Sequence, residues 1–282
     1  MILVFGESGQ IAGELQLFED IVSLNRRQAD LRSPEQCADL IREHKPEAVI
    51  NAAAYTAVDK AEKEEALAMT INGDAPTQMA EACAELGIPF VQISTDYVFD
   101  GTGQKAWLPQ SKTNPKNAYG RSKEAGEKGV SESGAVYGIL RTSWVISSRG
   151  DNFIKTMLRL SETRNELSIV SDQIGAPTPA RDIAHACYKM AKDLITNSKK
   201  SGRYHFSGSP NVSWYDFACE IFRQTGRDID LTPILSADYP TAASRPPNSR
   251  LNCESTLLEF GIEQPDWREG LNAILKELGA LS

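Results

Sequence analysis

Short apolar runs recur through the first two thirds of the chain: MILVF from Met1, DIVSL from Asp20, EAVINAAA from Glu47, IPFVQIS from Ile88 and AVYGILRTSWV from Ala135. Helical patterns lie between them. Strands that alternate with helices need crossover connections and so run parallel, which predicts an α/β, Rossmann-like doubly wound sheet. Several helix starts are marked as well. Ser33, Pro34 and Gln36 offer an N-cap, a first-turn proline and a capping-box partner for a helix running toward His44. SWYDFACEIFRQTG opens at Ser213 and closes near Gly226, with Trp214, Phe217, Ala218, Ile221 and Phe222 on one apolar stripe that reads as core.

After about Ile146 the alternation gives way to longer loops, and a Pro-rich stretch runs from Tyr239 to Leu251. The expected division is a dinucleotide-binding core over residues 1–146, completed by elements within 166–208, and a smaller, irregular substrate lobe drawn from 147–282. A cleft between the two is the natural place for substrate.

Composition narrows the partners. The 282 residues are 41% hydrophobic, enough for a sizeable core, and the net charge of −8 with no Lys/Arg block argues against nucleic acid. No apolar run approaches the ~20 residues of a membrane span and no basic segment precedes the first run, so no membrane partner is expected and the cytoplasm is the expected location. Cys37, Cys83, Cys187, Cys219 and Cys253 are odd in number, far apart and without a CxxC pair. They read as reduced thiols. His44, His185 and His205 are equally scattered, so no catalytic metal is expected.

The first strand runs into Gly6, Ser8, Gly9, Gln10 and Ile11, within a GxxGxxA spacing that ends at Ala12. Glycines let the backbone approach a pyrophosphate held at a helix start; the alternative is a plain strand-to-helix turn. After the second strand, Arg26 and Arg27 stand where an NAD site usually carries an acid on the ribose 2′-OH. Arginine there favours a 2′-phosphate, so NADPH is expected with NADH as the alternative, unless both are solvated surface charges. Asp30 and Leu31 follow, Asp30 either capping or reaching the adenine. Ala52, Ala53 and Ala54 after the third strand are small enough for a cofactor to lie against, or simply pack a turn.

The fourth strand ends QISTDYVF, placing Ser94 and Thr95 at the carboxyl edge where doubly wound sheets bind ligands. In NAYGRSKEAGEK, Tyr119 precedes Lys123 by one helical turn, so both side chains share a face. Tyr188 and Lys192 in CYKMAK have the same spacing, so spacing alone decides nothing. Ketone reduction needs hydride on carbon and a proton on oxygen. A phenol can give that proton, and a neighbouring ammonium would lower its pKa.

In this order, GxxGxxA, Ser/Thr and YxxxK resemble the extended short-chain dehydrogenase/reductase family. Within it the chain is similar to the branch of nucleotide-sugar 4-ketoreductases through INAAAYTAVDKAE, STDYVFDGTG, NAYGRSKEAGE, LRTSWV, SDQIGAPT, RPPNSRL and PDWREGL, which span nearly the whole chain. The resemblance implies an N-terminal NAD(P)H domain, a C-terminal nucleotide-sugar lobe, and reduction of the C4 ketone of a dTDP-6-deoxy-4-hexulose to dTDP-L-rhamnose. It also implies Thr95, Tyr119 and Lys123 as the catalytic set, Lys123 bonding the nicotinamide ribose, and Thr56, Val58, Tyr97, Trp144 and Gln173 at the sugar end, with Pro177 and Thr178 shaping the lobe. For Trp144 a buried core aromatic is the alternative. Some members form a magnesium-linked homodimer held by glutamates; Glu14 and Glu277 fall in matching segments, but Arg181 stands where an acid is needed, so a homodimer is kept and bridging magnesium is not. A 4,6-dehydratase would carry Thr-Asp-Glu where this chain has Thr95, Asp96 and Tyr97. The remaining rivals are a 4-epimerase and a non-catalytic NADP-binding regulatory subunit of the same fold, which the intact Thr95, Tyr119 and Lys123 disfavour.

Overall fold

The apolar runs form strands because they are buried on both sides. The computed structural model describes residues 1–281. In chain order its strands are β1 (Ile2–Phe5), β2 (Ile21–Leu24), β3 (Ala48–Asn51), β4 (Phe90–Thr95), β5 (Tyr137–Thr142), β6 (Val145–Ile146), β7 (Glu166–Val170), β8 (Ile174–Gly175), β9 (Thr178–Pro179), β10 (Gly202–His205), β11 (Val212–Ser213) and β12 (Asp230–Ile234). Its helices are α1 (Gln10–Leu15), α2 (Pro34–His44), α3 (Val58–Ala61), α4 (Glu65–Met69), α5 (Ala75–Leu86), α6 (Ala118–Glu132), α7 (Phe153–Leu160), α8 (Ala180–Thr196), α9 (Trp214–Thr225), α10 (Glu254–Phe260) and α11 (Trp267–Glu277).

Six parallel strands make the central sheet in the order β10-β5-β4-β3-β1-β2. Ile2 and Val4 face Leu15, Ile183, Cys187 and Met190 on one side of it. Leu3 and Phe5 face Cys37, Ile41, Met79 and Cys83 on the other. Helices on both faces leave the inner strands no face in water, hence runs without alternation, while Val22 of the edge strand β2 is exposed. The second lobe has its own core, where Phe217, Ile221 and Phe222 of α9 meet Ile154, Trp267 and Leu271. The aromatic stripe of SWYDFACEIFRQTG is therefore core, except that Trp214 is half-buried. That lobe contains only short strand pairs, β7 with β12, β6 with β9 and β8 with β11. No helix among the described residues is long and apolar enough to cross a membrane. All five cysteines are free thiols, Cys219 half-buried and the others buried.

One marked helix start works differently from its sequence. α2 begins at Pro34, but the Ser33 hydroxyl makes no capping bond, because its backbone sits at ψ 77. At Ser213, whose backbone is extended at ψ 165, hydroxyl and Asp216 carboxylate complete the capping box.

α6 is held from two directions. At its start Asn117 accepts a bond from the Gly120 amide at 2.7 Å, and Glu62 accepts one from the Ala118 amide at 2.8 Å. Further along, the Glu127 carboxylate, 3% exposed, accepts bonds from Ser94 of β4 at 2.5 Å and from Arg141 of β5 at 2.8 and 2.5 Å. Arg141 in turn bonds the Pro109 carbonyl and lies against His205 of β10, whose pKa is pulled down to about 3 by burial and by the Arg141 charge. Losing one member of a buried pair strands the other charge. Glu127→Gln is expected to lower the unfolding free energy by about 3–5 kcal/mol, read as a lower urea midpoint at unchanged m. A loss under ~1 kcal/mol would show that the pair does not hold α6 to the sheet.

Candidate active site

The order in which strands are added reverses between β1 and β3: β2 lies beyond β1 on one side, and β3 to β5 extend the sheet on the other. Ligands of doubly wound sheets bind at the carboxyl side of such a switch point. Here the strand ends open into a cleft of about 1010 Å³.

One end of the cleft is lined by Gly6, Ser8, Gly9, Gln10 and Ile11, with Ala52, Ala53 and Ala54 opposite. Gly6 has φ +116, and a Cβ there would come within 3.3 Å of the Ala52 and Ala53 backbone. A side chain would therefore strain the turn and crowd β3. α1 starts after Gly9 with no side-chain cap, so its first amides have no acceptor from the helix itself. Gln16 fixes the loop by donating to the Glu7 carbonyl at 2.7 Å, and Asn152 of the second lobe donates to the Gln10 side chain at 3.0 Å. This narrow, glycine-turned crevice with uncapped amides fits a dinucleotide.

Arg26, Asp30 and Leu31 line the adjoining wall, while Arg27 is not part of it. Arg32 donates to the Asp30 carboxylate at 2.8 and 2.5 Å and holds it below its usual pKa. Arg26 stands 4.0 Å from the same carboxylate and is 72% exposed, so its guanidinium is free to turn to another anion.

At the other end Thr95, Tyr119 and Lys123 converge. Burial pushes the Tyr119 phenol up to about 12, against the lowering effect of a hydrogen bond with Thr95. Burial outweighs the lowering expected from a neighbouring ammonium, and the Lys123 ammonium is turned to the Ile93 carbonyl at 2.7 Å. Lys123, 4% exposed, is itself pulled down to about 8 by burial, with Glu127 one turn further along holding it up. A phenol of this pKa is protonated at neutral pH, which is the state a proton donor needs.

Thr56, Val58, Tyr97 and Trp144 also line the cleft, Tyr97 with its ring edge-on to Tyr119 at 5.6 Å. Trp144 is half-buried rather than core and adopts φ +46, a conformation that costs a bulky residue on the order of 1–3 kcal/mol. Gln173 is not brought to the cleft. It is buried in the second lobe, where it donates to Ser236 at 2.9 Å. Pro177 and Thr178 stay behind Trp144, whose carbonyl accepts from the Thr178 amide at 3.0 Å.

Two further cleft residues, Asp96 and Thr142, were given no role at the site from the sequence. Thr142 Oγ1 is a buried atom of the lining with no hydrogen-bond partner among the described residues, and burial pushes Asp96 up to about 6 against the lowering effect of bonds from Ser249 and Thr95. Asp96 lies inside STDYVF, and the signal was its place beside Thr95 on the same strand end. Tyr188 and Lys192 are accounted for structurally: both bond the carboxylate of Asp20, at 2.9 and 3.1 Å, and tie α8 to the start of β2.

Elsewhere, Glu14 pairs with Arg149 at 3.5 Å, and Glu277 accepts from Ser148 at 2.5 Å. Both glutamates line a second cavity together with Arg181. Among the described residues no group of three or more His, Cys, Asp or Glu is placed to hold a metal ion.

A parallel sheet with its switch point, a glycine turn and a Thr, Tyr and Lys set at one cleft define a Rossmann-type short-chain dehydrogenase/reductase. Residues 1–280 match the family model of the RmlD substrate binding domain. The chain is 42% identical to a dTDP-4-dehydrorhamnose reductase of Sinorhizobium fredii, covering 97% of this chain and 96% of that protein. It is 40% identical to the enzyme of that name from Escherichia coli K12, covering 98% and 97%. A crystal structure of dTDP-4-dehydrorhamnose reductase from Bacillus anthracis in complex with NADP superposes with a TM-score of 0.90 at 36% identity, covering 98% of each chain. The chain belongs to the dTDP-4-dehydrorhamnose reductase family.

The site's electrostatics are measurable without any ligand. Lys123 is expected to titrate near 8 when followed by NMR of the 15N-labelled amine, carrying its charge below that pH and losing it above. A midpoint close to the ordinary ~10.4 would show that the amine is solvated and the burial argument wrong.

Proposed function

We propose that this chain reduces the C4 ketone of dTDP-4-dehydrorhamnose to give dTDP-L-rhamnose, with NADPH as reductant. The observation that carries this reading is the convergence of Thr95, Tyr119 and Lys123 on the same cleft as the glycine turn at Gly6. Bound NADPH supplies the hydride for the ketone carbon. Gly6, Ser8, Gly9, Gln10 and Ile11 hold the pyrophosphate, Ala52 to Ala54 lie along the cofactor, Asp30 and Leu31 border the adenosine, and Arg26 takes the 2′-phosphate. Tyr119 gives its phenolic proton to the carbonyl oxygen as that oxygen gains charge. The Thr95 hydroxyl bonds the same oxygen and the phenol. Lys123 holds the nicotinamide ribose and, as an ammonium, stabilises the phenolate left behind.

Thr56, Val58, Tyr97 and Trp144 receive the sugar end. Gln173 acts only through the shape of the second lobe. In domain terms, residues 1–146 with α8 and β10 bind the cofactor, and most of 147–282 builds the substrate lobe. The reading contains no bridging magnesium, because Arg149 and Arg181 already accompany Glu14 and Glu277. A homodimer in the cytoplasm is the setting the family resemblance suggests.

Two experiments test the reading. Tyr119→Phe should bind NADPH but oxidise it with dTDP-4-dehydrorhamnose roughly 10²-fold more slowly, whereas Tyr188→Phe, whose hydroxyl serves Asp20, should turn over normally. A Tyr119→Phe variant of near wild-type rate would sink the acid assignment, and a wild-type chain that binds NADPH without turnover would make it a regulatory subunit. Arg26→Ala should weaken NADPH binding by at least ~1.5 kcal/mol and leave NADH almost unchanged. Equal losses for both cofactors would remove the 2′-phosphate role.

A further inference from the structure

Trp144 follows β5, and its indole lies flat on that of Trp214, with centroids 3.5 Å apart and planes within 11°. Trp144 lines the cleft; Trp214 does not, and covers the face of Trp144 turned to the second lobe. Three features fix the pair. The Trp144 carbonyl accepts from the Thr178 amide at 3.0 Å while its own backbone is left-handed at φ +46. Gly175 gives the indole room, since a Cβ there would stand 2.8 Å from Trp144 Cε2. The pairing of β8 with β11 sets Val212 opposite Gly175 and Ser213 opposite Ile174, and Ser213 then caps α9 so that Trp214 opens the helix beside the glycine.

Behind the stack the contacts continue. Trp214 meets Phe153 at 4.7 Å, Phe153 stacks on Phe217 at 5.5 Å, and Phe217 meets Trp267 edge-on at 5.3 Å within the second lobe's core. A bulky residue stays in a left-handed conformation only where its surroundings over-determine it. Trp214 is part of those surroundings, and it connects the indole at the cleft to the buried core of the lobe.

We propose that Trp214 is a positioning residue for the nucleotide sugar: by stacking on Trp144 it locks that indole in one orientation at the sugar end of the cleft. The role rests on the reading of Trp144 as a substrate contact. A ring held in place before binding loses no freedom when the ligand arrives, so the gain falls on substrate affinity and not on the chemical step. Tyr119, Lys123 and the cofactor end have no contact with Trp214 and should not sense its loss.

The test uses the full chain with dTDP-4-dehydrorhamnose and NADPH. Trp214→Leu keeps apolar bulk against Phe153 and Phe217 but removes the stack. It should raise KM for the sugar by ~3- to 10-fold, the scale of one aromatic pair, with kcat and the Kd for NADPH within ~2-fold of wild type. Trp214→Phe keeps a ring and should restore most of the KM. Two stacked indoles also couple optically, so the near-ultraviolet circular dichroism should lose the same paired band in Trp214→Leu and in Trp144→Phe. An unchanged KM in Trp214→Leu, with the band gone, overturns the positioning role. So does a Trp214→Leu chain whose kcat falls as far as kcat/KM. If Trp144→Ala raises KM and Trp214→Leu does not, the positioning role fails and Trp144 remains a substrate contact; if neither raises KM, the reading of Trp144 fails and the positioning role with it.

Discussion

The structure depends on a carboxylate that water does not reach. Glu127 sits in the middle of α6 and receives Ser94 from β4 and both arms of the Arg141 fork from β5. An isolated charge at that depth would be very costly, and the bidentate geometry with a third donor is what makes it tolerable. The consequence is positional. Tyr119, Lys123 and Glu127 recur at four-residue intervals on one helix face, so whatever holds Glu127 to the strand ends also sets the distance of the phenol and the amine from Thr95. Arg141 extends the bond network to Pro109 and His205, which brings the loop before α6 and strand β10 into the same arrangement.

Burial, more than any neighbouring charge, sets the acid-base character of the site. It is the largest influence on Tyr119, raised to about 12, on Asp96, raised to about 6, and on Lys123, lowered to about 8. Each group is moved toward its neutral form, as a low-dielectric floor requires. The phenol then holds its proton for donation, and the amine depends on Glu127 to keep its charge at neutral pH. Thr95 links the phenol to Asp96: its hydroxyl donates to Asp96 at 3.1 Å, accepts from the Tyr97 amide at 3.2 Å, and bonds the phenol. The buried pair that fixes geometry thus also bears on charge.

Across the cleft the constraint is strain instead of burial. The second lobe is assembled from short strand pairs, and its hold on the site comes through Trp144, a large residue in a conformation that favours glycine. The aromatic contacts from Trp214 to Trp267 supply the rigidity that the strands do not. A further tie runs through Asp59 of α3, which receives Arg245 at 2.7 Å and the Ala243 amide at 3.0 Å from the Pro-rich stretch. Thr95 from the continuous sheet and Tyr119 and Lys123 from α6 thus meet at the cleft, while the opposite side is built from loops and short strand pairs.

The periodicity of the chain determined the sheet and its parallel direction, because a strand buried on both faces must be apolar throughout, and the glycine turn and Tyr119 with Lys123 could be picked out as candidates because their spacing lies within one element. Tyr188 and Lys192 show the limit of that logic: the same spacing serves Asp20, since only the fold decides what a helix face meets. Glu127 and Trp214 gain their importance from partners in other elements, and Gln173 bonds Ser236 in the same way. Ser33 had the residue type of a cap but not the backbone angle. Sequence determined what each element is and which groups it can present; tertiary structure decided which groups are buried, and burial sets both the pKa values and the pairing at the site.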